Sequence, residues 1–363
     1  MLMFSRVTYV LLNAFYFFVL VGLTFLSSRS VDAKQFQSLN GAVKSQSVVL
    51  NEQQIAQLRQ QPLTAVMVWH GSSPWVGAVT DGAKTEFSKL GIKVVAVTDA
   101  QFDPAKQVAD LENIKALNPD IILSLSVDGI STKVSYQKAI AQGAKLVLLS
   151  NPIPGFVQGK DYVGIVTDDM FGMGAAAAQL IAEAINDSGD IAMIYHDADY
   201  FITNNRDRAF RDALIAHKNI NITSEKGFLK EHETNNIAAA MVLQQPNLKA
   251  IYVSWDTAAE GVIAALRAAG RTDIKVISHD LGVNNLLDMV MQGNFYGTVA
   301  DRPFEIGQTM ARLGAAAILG EQAAPFTLVP FDKVTKQNVL GAWQTAFKTP
   351  PPRLIELALE QQK

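Results

Sequence analysis

The chain alternates short, almost continuously apolar runs with longer segments in which apolar and polar residues recur at helical spacing. Uninterrupted apolar runs are typical of strands that are buried on both faces of a parallel sheet. The amphipathic segments between them predict helices that cover those faces. In the first series the predicted strands are Thr64–Trp69, Ile92–Thr98, Ile121–Leu125 and Lys145–Leu149, and the predicted helices are Trp75–Leu90, Asp103–Leu117 and Ser131–Ala141.

Residues that favour helix ends stand where these helices should begin and end. Gly91 follows the helix Trp75–Leu90 and suits a left-handed C-cap position. Asp103 precedes Pro104, so the aspartate can cap the next helix while the proline occupies its first turn. These end signals agree with the hydrophobic pattern.

A second series of the same kind follows. Its predicted strands are Ile191–Tyr195, Ile220–Thr223, Ala250–Ser254, Ile274–Ser278 and Tyr296–Ala300. Its predicted helices are Phe171–Asn186, Asn205–His217, Glu233–Gln244, Ala258–Ala269, Asn284–Gln292 and Phe304–Leu319. Two successive α/β series predict two doubly wound parallel-sheet lobes with right-handed crossovers.

Composition narrows the class of protein. A chain of 363 residues has room for about two domains. Its 49% hydrophobic and 18% charged residues indicate a globular protein, and a net charge of −3 gives no reason to expect a nucleic-acid partner. The absence of cysteine excludes disulfides, thiolate metal sites and cysteine catalysis.

The first residues have the pattern of an export signal. Val7–Ser27 is almost uninterruptedly apolar behind Arg6, and Val31 and Ala33 stand at the −3 and −1 positions of a cleavage site. We therefore expect a signal peptide at residues 1–33 and a periplasmic protein. An uncleaved anchor is the alternative, because the run is long enough to span a bilayer. Residues 34–62 are polar and predict a leader with one short helix near Glu52–Gln60.

Polar and aromatic residues follow two predicted strands at the point where each strand ends. Trp255-Asp256 follows Ala250–Ser254, and His279-Asp280 follows Ile274–Ser278. In open α/β sheets, ligands bind at the edge formed by the carboxyl ends of the strands. A tryptophan face can cover the C–H groups of a sugar while a neighbouring carboxylate accepts hydrogen bonds from its hydroxyls. The pattern therefore predicts a carbohydrate site.

The order of further motifs resembles the periplasmic sugar-binding proteins of the ribose- and galactose-binding type, which are the solute receptors of ABC importers. The resemblance covers about Leu63–Val339. Its motifs are Ser73-Pro74-Trp75, Asp81-Gly82-Ala83, the segment Asp99–Gln107, Asn118–Ile122, Arg206–Phe210, Trp255-Asp256, His279–Gly282 and Asp301-Arg302-Pro303.

The resemblance implies a fold, a ligand and partners. It implies a periplasmic-binding-protein fold of type I, with two lobes joined by three hinge crossovers and a monosaccharide held in the cleft between them. We expect lobe 1 at residues 63–167 plus 302–330, and lobe 2 at 168–301 plus 331–363. The expected partners are a small-molecule sugar and an ABC permease, and the expected protein is a monomer with no cofactor.

The resemblance also implies a set of ligand residues. They are Ser73, Trp75, Asn151, Asn204, Arg206, Trp255, Asp256, Asp280 and Asp301. The chain departs from ribose binders in having Ser150-Asn151 where they carry Asp-Arg, Asn204 where they carry Arg, and Trp255 where they carry Asn. Loss of two arginines and gain of a tryptophan favour a pentose-like sugar, polyol or derivative with a larger apolar face.

Several candidates have structural alternatives. Asp256 and Asp128, which is a further ligand candidate, could instead cap helices. Arg206 could form an ordinary ion pair with Asp207 or Glu183, and Asp301 could belong to a hinge ion pair. His70 and His279 also end strands near the expected cleft, but they could be satisfied by the backbone. No metal site is expected, because nothing has the spacing of histidine pairs or a calcium loop.

Enzymatic readings have little support in the sequence. There is no Gly-x-Ser-x-Gly motif and no phosphate-binding P-loop. A carboxylate pair such as Asp280 and Asp301 could in principle hydrolyse glycosides, which leaves a hydrolase as a remote alternative. A sugar sensor that docks on a chemoreceptor or sensor kinase is the other alternative to transport. We expect a binding protein and not an enzyme.

Overall fold

The computed structural model describes residues 39–362, and in it two separate sheets organise the chain. Sheet 1 is wholly parallel and has the order β1-β12-β6-β5-β4-β2-β3. Its strands are β1 (Val43–Lys44), β2 (Thr64–Trp69), β3 (Lys93–Asp99), β4 (Ile121–Ser124), β5 (Lys145–Leu149), β6 (Ile165–Asp168) and β12 (Phe326–Val329). The apolar runs form its buried centre, since β4 and β5 are almost wholly inaccessible to solvent.

Sheet 2 has the order β13-β11-β10-β9-β7-β8, and every pair is parallel except β11 with β13. Its strands are β7 (Gly189–His196), β8 (Ile220–Phe228), β9 (Leu248–Val253), β10 (Lys275–His279), β11 (Phe295–Ala300) and β13 (Asp332–Val334).

Helices cover both sheets, as continuous apolar strands require. Those of the sheet 1 region are α1 (Glu52–Arg59), α2 (Pro74–Leu90), α3 (Pro104–Lys115), α4 (Lys133–Ala141) and α10 (Pro303–Ile318). Those of the sheet 2 region are α5 (Met170–Ala184), α6 (Phe201–Leu214), α7 (Thr234–Gln244), α8 (Asp256–Ala268), α9 (Val283–Val290), α11 (Val339–Phe347) and α12 (Arg353–Glu360). The sheet 1 region is called lobe 1 below, and the sheet 2 region lobe 2.

The chain passes between the lobes three times. It leaves sheet 1 after β6, returns to it after β11, and crosses again between β12 and β13. Arg302 in the second crossover donates from Nε to Oδ2 of Asp332, the first residue of β13 after the third crossover, at 3.0 Å. The predicted architecture of two doubly wound lobes joined by three crossovers is confirmed.

The helix-end signals lie where the sequence indicates. Gly91 is the C-cap of α2 with φ +76°, and Asp103 caps α3 by accepting from the backbone N–H of Ala105 at 2.8 Å. The second lobe differs more. Helix α6 begins at Phe201, four residues before Asn205. Strand β8 runs on to Phe228, and the hydrophobic pattern did not predict this extension because Ser224–Gly227 of this edge strand is polar.

The hydrophobic pattern missed six short elements, namely β1, β6, β12, β13, α11 and α12. Strand β1 lies within the predicted leader, yet it pairs with β12, so this part of residues 34–62 belongs to sheet 1. The short helix expected near Glu52–Gln60 is α1, capped by Asn51 in a capping box with Gln54. The predicted signal peptide at 1–33 lies outside the described residues.

Helices α2 and α10 pack against each other with almost no space between their backbones. A Cβ added at Gly82 would lie 2.0 Å from the carbonyl oxygen of Phe304, and one added at Gly307 would lie 1.9 Å from that of Val79. Trp75 stands in the first turn of α2, and α10 begins just after the second crossover. The two glycines therefore fix the position of Trp75 relative to that crossover.

None of the helices within residues 39–362 combines the length and the apolar character needed to cross a bilayer.

Candidate ligand site

A cavity of about 930 Å³, including its open mouth, lies where the carboxyl ends of the two sheets face each other. Each strand from β2 to β11 supplies a lining residue at or just beyond its carboxyl end, as expected for a ligand site in an α/β fold. From lobe 1 these include His70, Ser72, Ser73, Trp75, Val76, Phe102, Leu125, Ser150 and Asp168. From lobe 2 and the second crossover they are His196, Tyr200, Ile202, Thr203, Arg206, Glu231, Trp255, Asp256, Thr257, Asp280 and Asp301.

An aromatic group forms one side of the cavity. The half-buried Trp255 ring makes an edge contact with His196, with ring centroids 5.0 Å apart, and packs on Phe228 at 4.8 Å. Its Nε1 donates to Oε1 of Glu231 at 2.5 Å, which fixes the orientation of the indole. On the opposite lobe, His70 meets Phe102 edge-on at 4.8 Å. Such rings offer apolar faces suited to the C–H groups of a sugar.

Trp75 is held by Asp301. Its indole Nε1 donates to Oδ1 at 2.8 Å and to Oδ2 at 3.1 Å, which joins lobe 1 to the second crossover. Ser73 is the N-cap of α2, and its Oγ accepts from the Val76 backbone N–H at 3.2 Å. Burial raises the pKa of Asp301 well above its ordinary value, and the charges of Asp280 and Asp168 raise it further.

Arg206 is the one cationic side chain among the described residues that line the cavity. It is 5% exposed and donates from Nη2 to the carbonyl oxygen of Ser254 at 2.9 Å. Its Nε has no hydrogen-bond partner within residues 39–362. Burial opposes its charge, but the neighbouring carboxylates of Asp280 and Asp168 raise its pKa above the ordinary value.

A second layer of hydrogen bonds lies behind Arg206. Asp207 accepts from the hydroxyls of Tyr252 at 2.7 Å and Ser254 at 2.9 Å. Tyr252 Oη also lies 3.0 Å from Nε2 of His279. This buried network fixes the Ser254 backbone that holds the guanidinium.

The lining carboxyls repel one another's negative charge. Burial raises the pKa of Asp168 to about 7, with Arg206 opposing the rise and Asp280 adding to it. Burial raises the pKa of Asp256 to about 8, and Asp280 again contributes. The pKa of Asp280 itself is raised by burial, and only Arg206 opposes the rise. The negative charge of Asp280 therefore raises the pKa of each of the other three lining aspartates, Asp168, Asp256 and Asp301.

Asp280 also has an unusual backbone. Its φ is +68°, in the left-handed region that favours glycine, and its backbone N–H donates to the carbonyl oxygen of Val299 at 3.1 Å. Aspartate is one of the few residues that tolerate this conformation. The turn aims the residue after β10 into the cavity instead of along the strand.

The lobes also touch across the cleft at a polar contact. Asn151, which follows β5 in lobe 1, accepts at Oδ1 from the backbone N–H of Ile202 at 3.2 Å, and its Nδ2 donates to the carbonyl oxygen of Ser126 at 3.4 Å. Ile202 stands in the first turn of α6 in lobe 2. Asn151 is thus a link between the lobes.

A sequence profile described as the periplasmic binding protein domain matches residues 64–322. The chain belongs to this family. It is 25% identical over 266 residues to the ribose import binding protein RbsB of Salmonella typhimurium, which covers 73% of this chain and 88% of that protein. The D-allose-binding periplasmic protein of Escherichia coli is 25% identical over 272 residues, with 73% and 88% coverage.

A solved structure supports the fold of this periplasmic binding protein family. A solute binding protein of an ABC transporter from Agrobacterium vitis, bound with alpha-D-tagatopyranose, is similar with a TM-score of 0.72 at 19% identity. The similarity covers 78% of this chain and 99% of that one. The family resemblance and the type I fold inferred from the sequence are confirmed.

The structure brings most of the predicted ligand residues to one cavity. These are His70, Ser73, Trp75, Arg206, Trp255, Asp256, Asp280 and Asp301. That they bind ligand stays a prediction. Asp256 is the first residue of α8 and not its N-cap, which is Trp255, although its carboxylate accepts from the Thr257 backbone N–H at 2.8 Å.

Four predicted residues do not line the cavity, and their part in ligand binding stays a prediction. Asp128 accepts from the backbone N–H groups of Ile130 and Ser131 ahead of α4, as the capping alternative has it. Asn151 makes the contact between the lobes described above. Asn204 is exposed to solvent, and His279 is buried behind Arg206 with Tyr252.

The additional lining residues were missed for identifiable reasons. Asp168 ends β6, and Glu231 follows the unexpected extension of β8, so both were hidden by strands assigned wrongly or not at all. Tyr200, Ile202 and Thr203 lie at the start of α6, which begins at Phe201 and not at the predicted Asn205. His196 ends β7 and was not among the ligand candidates. Within residues 39–362 no group of three His, Asp or Glu is placed to hold a metal ion.

Proposed function

We propose that this protein is a periplasmic solute-binding protein that captures a monosaccharide or a close sugar derivative between its lobes and delivers it to an ABC permease. The observation that carries the proposal is the cavity at the facing sheet edges, lined by aromatic rings and by polar side chains from both lobes. Relatives named for ribose import and for periplasmic D-allose binding support the choice of ligand class.

The mechanism follows from the arrangement of the lobes. A sugar first binds to one lobe of an open form, and rotation about the three crossovers then brings the second lobe onto it. The moving units would be the two predicted lobes, residues 63–167 plus 302–330 and residues 168–301 plus 331–363. Strand β1 would move with the first of them. The Asn151–Ile202 contact and the Trp75–Asp301 hydrogen bonds would form on closure and would hold the closed form.

Selectivity follows from desolvation of the polar groups. In a closed cavity, a ligand that fails to pair with Arg206 or with the lining carboxyls leaves buried polar groups unsatisfied, which discriminates strongly between sugars. We propose binding without chemical turnover, in the periplasm, by a monomer. Closure then creates the surface that the permease reads.

The test is a thermal-shift screen of the exported chain against aldoses, ketoses, polyols and sugar derivatives. A ligand that binds only the folded state raises the melting temperature by mass action. X-ray scattering with the best ligand should show a smaller radius of gyration than without it. Stabilisation by no sugar or derivative, or binding without compaction, would overturn the proposal, and release of a product from the ligand would show an enzyme instead.

A further inference from the structure

A continuous row of aromatic rings lines the cavity from lobe 1 to lobe 2. In order from the lobe 1 end, this aromatic row consists of Phe102, His70, Tyr200, His196 and Trp255. The centroids of successive rings lie 4.8, 6.4, 5.5 and 5.0 Å apart. All four distances fall in the range of about 4.5–7 Å at which aromatic rings interact. A monosaccharide is a single ring, so it can cover only part of this row.

The lobe 1 side of the cavity is almost free of charge. Burial lowers the pKa values of His70 and His196 to about 4, so both rings are neutral near pH 7. Lobe 1 also contributes the apolar side chains of Val76 and Leu125. Of the described residues with which lobe 1 lines the cavity, Asp168 is the one with a charged side chain. The other charged lining residues belong to lobe 2 and the second crossover.

Phe102, at the lobe 1 end of the aromatic row, has a strained backbone. Its φ is +56°, and that of the preceding Gln101 is +54°. This left-handed region suits glycine, asparagine and aspartate, and a bulky residue there is a genuine outlier. The Phe102 side chain is 52% exposed, so burial in the core does not compensate for the strain. Backbone strain of this kind is typical of ligand-binding segments.

The neighbouring residues hold Phe102 in this position. Oδ1 of Asp99 accepts from the backbone N–H of Gln101 at 2.8 Å, and the backbone N–H of Phe102 donates to the carbonyl oxygen of His70 at 2.7 Å. Gly71 leaves the space that the phenyl ring occupies, since a Cβ added there would lie 2.7 Å from Cε2 of Phe102. The turn therefore fixes an exposed ring edge-on to His70 in the cavity wall.

Two unpaired polar groups indicate where the hydroxyls of a sugar would lie. Arg206 Nε and Asp168 Oδ1 have no hydrogen-bond partner within residues 39–362, although the two residues are only 5% and 3% exposed. A buried polar group without a partner is costly, and sugar hydroxyls can both donate and accept. Neither residue belongs to the aromatic row. A sugar that pairs with them leaves the Phe102 end of the row for a different part of the ligand.

We propose that the ligand is an aryl or heteroaryl glycoside whose sugar pairs with Arg206 and Asp168 and whose aromatic aglycone lies against Phe102 and His70. This inference rests on the proposed function and specifies its substrate class. The aglycone would bury the exposed face of Phe102, and contact between aromatic rings adds to the gain from burial. With its open mouth the cavity measures about 930 Å³, within the range of about 300–1,000 Å³ for sites that hold drug-sized ligands.

The experiment compares matched ligands by isothermal titration calorimetry with the exported chain. The probes are D-glucose with its methyl, n-butyl and phenyl β-glucosides, the same four forms of galactose, and D-ribose with adenosine and uridine. The methyl glycoside keeps the glycosidic bond without a ring, and the butyl glycoside supplies an apolar group that is not aromatic. We expect at least one aryl or heteroaryl glycoside to bind about tenfold or more tightly than its free sugar and its methyl glycoside.

Phe102→Asn supplies the positional test, because asparagine tolerates the left-handed region and removes the ring. It should reduce the preference for the aromatic glycoside about tenfold, leave free-sugar affinity almost unchanged and raise the melting temperature. Gln101→Asn is the matched control. It relieves strain at the neighbouring residue, whose side chain is not among the described residues that line the cavity, so it should keep the preference.

The outcomes separate the two proposals. Free sugars that bind as tightly as their aromatic glycosides would overturn the aglycone and leave the sugar-binding function standing. Butyl glycosides that bind as tightly as phenyl glycosides would overturn the aromatic nature of the substituent. A preference that survives Phe102→Asn, or that Gln101→Asn also abolishes, would overturn the assigned position. Failure of every sugar and glycoside to bind would overturn the proposed function itself.

Discussion

Trp75 donates its indole N–H to both carboxylate oxygens of Asp301, at 2.8 and 3.1 Å, and so joins lobe 1 to the second crossover. Asp301 is 3% exposed, and among the groups that act on it the indole is one of only two that favour its ionised form, the other being Arg206. The contact therefore links a lining ring directly to the second crossover, one of the three about which we propose that the lobes rotate.

Trp75→Phe should weaken ligand binding about tenfold, because it keeps an aromatic ring but leaves a buried carboxyl without its donor, at a cost of about 1–3 kcal/mol. Titration calorimetry measures the change. Trp343→Phe is the matched control, since the Trp343 indole is buried outside the cavity and its Nε1 has no partner within the described residues. Equal losses from both substitutions would assign the effect to general packing.

Trp255→Ala should weaken binding by about tenfold or more, because it removes the ring face at the aromatic side of the cavity. The fold should survive, since this indole is half-buried and lies at the margin of the lobe 2 core. Trp255→Phe keeps a ring face and loses only the N–H to Glu231, so it should retain most of the affinity. Unchanged affinity in Trp255→Ala would exclude the ring from the ligand site.

Arg206→Gln should abolish binding near neutral pH and lower the free energy of unfolding by about 3–5 kcal/mol, as expected when one partner of a buried charge group is removed. Arg208→Gln, an exposed arginine of the same helix, is the matched control. Asn204→Ala should have no effect on binding, because that side chain faces solvent. Binding that depends on Asn204 and not on Arg206 would contradict the cavity described above.

The stability of the unliganded protein should depend on pH through Asp256. Its pKa is about 8 when folded and 3.8 when unfolded, so the folded state binds more protons between these values and loses stability as pH rises through that range. Asp256→Asn removes this dependence. Relative to the wild type, the variant should gain up to about 1.4 kcal/mol per pH unit between about pH 4 and 8, and nothing further above pH 8.

Denaturant unfolding of both proteins across this pH range measures the difference. Asp212→Asn, at an exposed residue of α6 outside the cavity, serves as the control and should give a curve parallel to that of the wild type. A difference between Asp256→Asn and wild type that is constant with pH would show that Asp256 titrates normally in the folded state.

Gly82→Ala should destabilise lobe 1 and weaken binding, since its Cβ would lie 2.0 Å from the Phe304 carbonyl oxygen and α10 must shift away from α2. That shift separates Trp75 from Asp301. Gly77→Ala, on the same helix, is the control because nothing lies within 4 Å of its added Cβ. It should be neutral or stabilising by about 0.5–1 kcal/mol, as alanine favours a helix interior. Equal melting temperatures for the two variants would show that α10 adapts freely.

A strand could be predicted from the sequence where it carries a long, continuous apolar run. Strands such as β4 and β5 are covered on both faces, so their apolar runs and the residues at their ends could be read directly. The edge strand β8 is mostly polar, and β6, although buried, has only two consecutive apolar residues, Ile165 and Val166, so the carboxylates of Glu231 and Asp168 near their ends were missed. Trp255 and Asp280 were found because β9 and β10 lie inside sheet 2.

The direction of a side chain could not be read in the same way. Asn204 and Arg206 are two positions apart on α6, so one faces solvent when the other faces the cavity. Because the predicted start of this helix was wrong by about one turn, the sequence could not show which of the two side chains faces the cavity. Likewise, the position of Asn151 between the lobes is a long-range relationship that no local pattern encodes.

Because of its left-handed backbone, Asp280 should lower thermal stability while it contributes to ligand binding. Asp280→Gly would relieve a strained φ of +68° and remove a half-buried carboxyl whose pKa burial already raises. A laboratory selection for thermal stability carried out without ligand should therefore enrich substitutions at this residue. The selected variants should be thermostable proteins that no longer bind the ligand. The same selection in the presence of ligand should retain the aspartate, because ligand binding then supplies the stability that the empty site lacks.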